Sequence, residues 1–441
     1  MLAVNRGFMK MVILAHISLI LVFSGILQAI GLDWVEKRLV ELLTWVEFAY
    51  ALLVHGRRTR YLKMDVPLGI IVFLVLYSIV HLIISQYSWV DYARGFISAF
   101  RGFAFFYACS LILDAKDIPS YFRYFRVLLI ANAIICTVMY FTGNQGDHCN
   151  GLFGIGHRNA YMNVFICIMG AYATVSYLFN RMKIGSFIWI NALCVYIAVL
   201  SELKFYFIEI AVIFLIVLLI RKPNRKTVVI FAIAIVIVIT MPLFINAVWG
   251  SYSAALLTVA GLLDYVNTTQ TVGYTFVGDL GRIGGITTIN NVFFNHQPSL
   301  FGFGLGYCDY GSQFLNTHGD FHYQWFMYCI TYLELGWVGL ITYFVLLGSI
   351  AIVCLLQKRR IAGETEKEIV YVFVFCLMVI SMILMFYNST MRNSTNPDML
   401  WLCISFAAVI NRRTYLEEPM EAEEYGEDDE EEADEALEVA E

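Results

Sequence analysis

Val66–Gln86 reads VPLGIIVFLVLYSIVHLIISQ, a run without Asp, Glu, Lys or Arg, preceded by the bases Arg57, Arg58, Arg60 and Lys63. A helix needs roughly 20 mostly apolar residues to cross ~30 Å of hydrocarbon, and this run meets that length. The bases mark the end expected to stay in the cytoplasm. Comparable runs lie near 11–30, 39–55, 95–113, 127–142, 159–179, 185–200, 203–220, 227–249, 337–356, 369–387 and 398–411. The pattern predicts an all-α polytopic membrane protein of about twelve transmembrane helices. Composition points the same way: the chain is 60% apolar and 15% charged, with mean hydropathy +0.70. Soluble domains sit near ~45–50% and ~25%. The first run is too long for a cleavable signal and has no small-residue cleavage site, so it is expected to persist as a span.

Bases recur after every second span: Lys116, Arg123 and Arg126; Arg181 and Lys183; Arg221, Lys222, Arg225 and Lys226; Lys358, Arg359 and Arg360; Arg412 and Arg413. Those loops, and with them both termini, are expected to be cytoplasmic. The formal net charge of -6 conceals two regions. Glu417–Glu441 holds 15 acidic residues and no base, which leaves 29 bases against 20 acids in the remainder. The expected organisation is one membrane domain, 1–416, followed by a disordered acidic cytoplasmic tail, 417–441. The ten cysteines form no CxxC pair and fall mostly in apolar runs, where a thiol behaves as a small hydrophobe. Cys149 and Cys308 are the two expected in outer loops; two free thiols are favoured there over a disulfide.

The opposite, outer side is poor in bases, and its stretch from 250 to about 325 is too long for a mere connection. Ala254–Val266 and Tyr323–Leu335 are expected there as short interfacial helices. The loop carries Arg282 within Gly281-Arg282-Ile283-Gly284-Gly285, and Gly302-Phe303-Gly304-Leu305-Gly306 follows. That second string reads as a tight turn, because no strand–helix context for a nucleotide surrounds it. His318 and His322 are four residues apart with Asp320 between them. On one helix face they would suit a metal, but no third ligand is placed by spacing and Gly319 weakens the helix. A general base oriented by a carboxylate fits better, and no metal or cofactor is expected. Arg101, Arg158, Lys204, Arg282 and Arg392 form a set of cations expected at the outer rim, where several of them together would hold a diphosphate. Glu209 is a candidate ion partner for Arg101 or Lys204.

The order Gly281-Arg282, Gly302-x-Gly304-x-Gly306, His318 with Asp320, then Glu334-Leu335-Gly336-Trp337-Val338-Gly339 resembles the O-antigen polymerase and ligase superfamily. Gly151-Leu152-Phe153-Gly154 with Asn159, and Ser201 with Lys204, are similar to further strings of that family. In the family the His stands nearer the Glu-Leu-Gly string and precedes Asn or Ser, so His322 remains an alternative to His318. The resemblance implies a metal-independent glycosyltransferase in the cytoplasmic (inner) membrane. Its donor would be a polyprenyl-diphosphate-linked oligosaccharide, polymerised on the outer face into O-antigen, capsule or exopolysaccharide. His318, oriented by Asp320, would deprotonate the acceptor; Arg282, with Arg158, Lys204, Arg101 and Arg392, would hold the leaving diphosphate. Membrane lipid, a flippase and a chain-length regulator are the implied partners, and nucleic acid is not. A ligase acting on the finished chain is the alternative within the family, and a lipid-linked sugar flippase or secondary transporter the alternative outside it.

Overall fold

The computed structural model describes residues 5–155, 158–220, 225–230, 232, 284–309, 311–318, 322–361, 363–392 and 398–413. Among them the chain is helical, with no strand. The helices are α1 (Arg6–Ala29), α2 (Asp33–His55), α3 (Asp65–Ser85), α4 (Trp89–Ile112), α5 (Ile118–Phe141), α6 (Asn159–Leu178), α7 (Ile184–Leu200) and α8 (Lys204–Ile220). After them come α9 (Gly285–Phe293), α10 (Gln313–His318), α11 (Met327–Arg360), α12 (Thr365–Tyr387) and α13 (398–413). Eight of these, α1 to α6, α11 and α12, are long and apolar enough to cross a membrane. The expected spans at 185–200, 203–220 and 398–411 are helical too, as α7, α8 and α13. The expected ninth span and Ala254–Val266 lie largely or wholly outside the described residues, as does the acidic tail.

Local chemistry sets several boundaries. Asn5 caps α1 by accepting from the Gly7 N–H at 2.9 Å. Asp114 and Asp117 form a reciprocal capping box just before α5, which carries Pro119 in its first turn. Near these caps Arg6, Lys10 and Arg412 converge on Asp114, at 2.5, 2.5 and 3.2 Å, joining the ends of α1 and α13 to the α4–α5 turn.

Burial separates centre from rim. The apolar window of α6 is 89% buried, whereas those of α2 and α3 are only 22% buried. The outer helices present large apolar side chains such as Leu53, Val66 and Ile84 to their surroundings. A rim of that kind is stable in hydrocarbon and not in water, so this is a polytopic membrane protein.

One expectation is corrected. Tyr323–Leu335 does not lie on a surface. After a short turn at Tyr323–Trp325, Met327–Leu335 is the buried first arm of α11, and the chain breaks only at Gly336.

Candidate functional site

Gly336 interrupts α11 with φ 62° and ψ −159°, a conformation open to glycine. Such a break strands backbone groups on both sides of it. The loop 299–304 supplies their partners. The Phe303 and Gly304 N–H groups donate to the Leu333 and Glu334 carbonyls at 2.7 and 2.8 Å. The Trp337 and Val338 N–H groups donate to the Ser299 and Leu300 carbonyls at 3.1 and 3.2 Å, and the Tyr77 hydroxyl donates to Leu335 O at 2.9 Å. Contact is close enough that a methyl group on Gly306 (φ 85°) would stand 1.9 Å from the Asp91 carbonyl oxygen. The GxGxG string is therefore a backbone plug for a broken helix, and its tight-turn reading extends to that role.

The break sets the direction of Glu334. Its Oε2 meets the Arg392 guanidinium at 2.5 Å and its Oε1 accepts from the Cys308 N–H at 3.3 Å. Asp309 Oδ2 stands 3.4 Å from the same Arg392 nitrogen, and the Ser98 hydroxyl donates to Arg392 O at 3.1 Å. Arg392 is 4% exposed and Glu334 fully buried. Burial works against the Arg392 charge, but Glu334 and Asp309 outweigh it and hold the guanidinium above its ordinary range.

A second buried group sits deeper. The Arg101 Nε donates to Asp398 at 3.3 Å, His16 Nε2 lies 3.2 Å from Asp398 Oδ2, and His16 Nδ1 lies 3.1 Å from Glu47 Oε2. All four side chains are at most 2% exposed. Each nitrogen of His16 faces a carboxyl oxygen, and each contact needs one proton between the two atoms. Arg101 and His16 together face two carboxyl groups, so the group can balance its charge, which is the condition for keeping such groups out of water. The quartet ties α1, α2 and α4 to the first residue of α13.

The remaining sequence-predicted residues divide. Arg158 donates to Ser24 and to Glu36 at 3.2 Å, joining the Gly-rich 151–155 turn to α1 and α2. Lys204 opens α8 beside Glu202, whose carboxyl is raised by burial, with Lys204 opposing and Asp147 adding to the rise. Arg101, Arg158 and Arg392 thus each face a carboxylate of their own, so these three are not open cations at a rim. Glu209 partners neither Arg101 nor Lys204; its Oε1 accepts from Asn163 Nδ2 at 2.8 Å. Arg282 and Asp320 lie outside the described residues.

His318 ends α10 and packs against the rings of Phe293 and Phe314, with centroids 5.2 and 4.8 Å away. His322 has φ 52° and stacks on Trp325 at 4.0 Å. The two imidazoles do not share one helical face, which removes the geometric basis of the metal reading. Cys149 and Cys308 are both free and buried; the Cys149 thiol donates to Cys136 O at 3.4 Å.

His16, Glu36, Glu47 and Asp398 were not singled out by sequence reasoning. The available signal was simple: His16, Glu47 and Asp398 are ionisable residues within or at the end of an apolar run, where such residues are expensive, while Glu36 stands just before the second run. Comparison with family models and with curated proteins finds no match to this chain.

Proposed function

We propose that this chain is a membrane glycosyltransferase that polymerises polyprenyl-diphosphate-linked oligosaccharide units into a surface polysaccharide on the outer face of the cytoplasmic membrane. One observation carries the reading. The two glycine strings behind the resemblance to O-antigen polymerases and ligases fold into a single unit. The 299–304 loop closes the break at Gly336, and Glu334 beside that break meets Arg392.

In this reading the acceptor hydroxyl attacks the anomeric carbon as the bond from that carbon to the diphosphate oxygen breaks. His318, oriented by Asp320, takes the hydroxyl proton, with His322 as the alternate base. The diphosphate leaves with the bonding pair, and Arg282, aided by Lys204, meets its growing charge. Arg158, Arg101 and Arg392 are already neutralised by Glu36, Asp398 and Glu334, so they act as positioning residues. Fixed donors aimed at developing charge contribute several kcal/mol to a barrier, and a general base ~10²–10⁴-fold in rate.

A ligase would use the same donor chemistry on another acceptor. Polymerase is favoured because no sequence pattern marks a dedicated lipid A or protein acceptor site. A transporter of lipid-linked sugar has one observation in its favour, the buried His16–Glu47–Arg101–Asp398 quartet, since transporters place polar groups deep between helices. Purified protein mixed with lipid-linked repeat units, with no gradient, decides among the three. A ladder of lengthened lipid-linked chains supports the polymerase. Transfer only of preformed chains to an added acceptor indicates the ligase. Movement between the leaflets of vesicles without any new glycosidic bond indicates the transporter.

A further inference from the structure

Glu209 lies on α8, fully buried between α6 and α7. Its Oε1 accepts from Asn163 Nδ2, the Cys167 thiol hydrogen-bonds the carboxyl, and its Oε2 has no nitrogen or oxygen partner. Other buried polar atoms of the α6–α8 unit, the Tyr206 hydroxyl among them, also have no nitrogen or oxygen partner. Asn163 Oδ1 is buried without a partner, and so is Asn191 Oδ1, whose amide nitrogen donates to Phe187 O at 3.0 Å. The titratable groups around this point come from every packed helix: the thiols of Cys167 on α6, Cys194 on α7 and Cys376 on α12, and the Tyr206 hydroxyl on α8 itself. Among the described residues no Lys, Arg or His forms an ion pair with Glu209. This distinguishes it from Glu47, Glu334 and Asp398, each of which faces a cation.

An ionised carboxylate in this setting would be a buried charge without a counter-ion, against a cost of several kcal/mol. A proton on Oε2 removes the charge and turns that oxygen into a donor beside Asn163. Asn163, already bonded through its amide nitrogen, then has a carbonyl oxygen available to complete an acid–amide pair.

We propose that Glu209 is an intramembrane proton-binding site: a carboxylic acid that holds its proton at neutral pH within the α6–α8 unit. The site binds a proton and not a metal cation, and it stands apart from the glycosyl-transfer chemistry proposed above. A neutral buried carboxyl is also the form that apolar carbodiimides modify. Its O–H adds across a C=N bond of the reagent, the proton passing to nitrogen and the oxygen to carbon, and the adduct rearranges to a stable acylurea.

The test uses the full-length protein in detergent and the Glu209→Gln variant, which keeps the shape and the Asn163 contact. Infrared difference spectra at neutral pH should show a carboxylic-acid C=O band in the wild type that is lost in E209Q. Mass mapping after treatment with dicyclohexylcarbodiimide should place the adduct on the Glu209 peptide, with none on Glu47, Glu334 or Asp398. Replacement of that C=O band by carboxylate bands would overturn the proposal. Protection from the reagent by sodium chloride, but not by an equal concentration of N-methylglucamine chloride, would overturn it in favour of a monovalent cation.

Discussion

Replacing Asp398 by Asn tests the buried quartet most directly. The Asp398 carboxylate stands 3.3 Å from Arg101 Nε and 3.2 Å from His16 Nε2. Two unit charges at that separation attract by about 5 kcal/mol when the effective dielectric constant is near 20. The Asn amide keeps the shape and some hydrogen bonding but removes the charge, leaving Arg101 buried at 2% exposure. Breaking a buried pair in this way costs ~3–5 kcal/mol. The His16–Glu47 contact offers partial relief, because release of its shared proton returns the group to neutrality. The expected loss therefore falls toward the lower end of that range, about 3 kcal/mol. The measurement is equilibrium unfolding in mixed micelles for wild type, D398N, Arg101→Gln and the double variant. The double variant removes both charges, so it should be more stable than D398N alone, and the cycle should show a coupling of about 2 kcal/mol or more. A D398N protein within about 0.5 kcal/mol of wild type, with no coupling to Arg101, would refute the claim that this ion group holds α13 in place.

Gly306→Ala should destabilise the protein by more than about 3 kcal/mol, since the added methyl meets the Asp91 carbonyl oxygen at 1.9 Å and φ is 85°; unfolding of the purified variant measures it. Arg282→Ala should reduce chain lengthening at least as much as His318→Ala, each by ~10²-fold or more; near-normal polymer from both at equal protein level would remove the assigned roles. The Glu202 carboxyl is raised in the folded state chiefly by burial, so the folded protein binds that proton more tightly than the unfolded chain. Its contribution to stability is then present below the ordinary carboxylate range and is lost as pH rises through the folded value. Glu202→Gln should accordingly be stabilising at neutral pH and neutral in effect in acid, a difference read from unfolding midpoints at the two pH values. Cys149 and Cys308 should both take a maleimide after denaturation without reductant, because both are free thiols.

Much of the helical layout was legible in the chain. Apolar runs such as 66–86 and 369–387 are long enough to form spans by themselves, and the structure returns them as α3 and α12. The second proposed surface helix was misread for a physical reason. Met327–Leu335 is apolar and precedes a glycine, a pattern shared by a helix lying on a bilayer and by the buried arm of a broken one. Only the loop 299–304, which supplies the hydrogen bonds that a break needs, separates the two cases. The candidate site was legible as residue types and not as pairs. Arg101, Arg158 and Arg392 stood out because isolated cations near a membrane are conspicuous, but their partners come from 58 to 297 positions away in the chain. Asp398 opens the last apolar run of the sequence, and nothing in its spacing pairs it with Arg101 and His16.

By itself the sequence determined that this chain lives in a membrane as a set of helices. Hydrophobic length and the need to satisfy backbone hydrogen bonds locally are properties of each segment alone. Tertiary structure decided what the charges do. A buried Arg is a ligand-binding group or a structural one according to whether a carboxylate faces it. For Arg101, Arg158 and Arg392 that carboxylate arrives on another helix. For Glu209 no cation arrives among the described residues. Spacing along the chain is silent on both outcomes, because ion pairing depends on a few ångströms between side chains that only packing brings together.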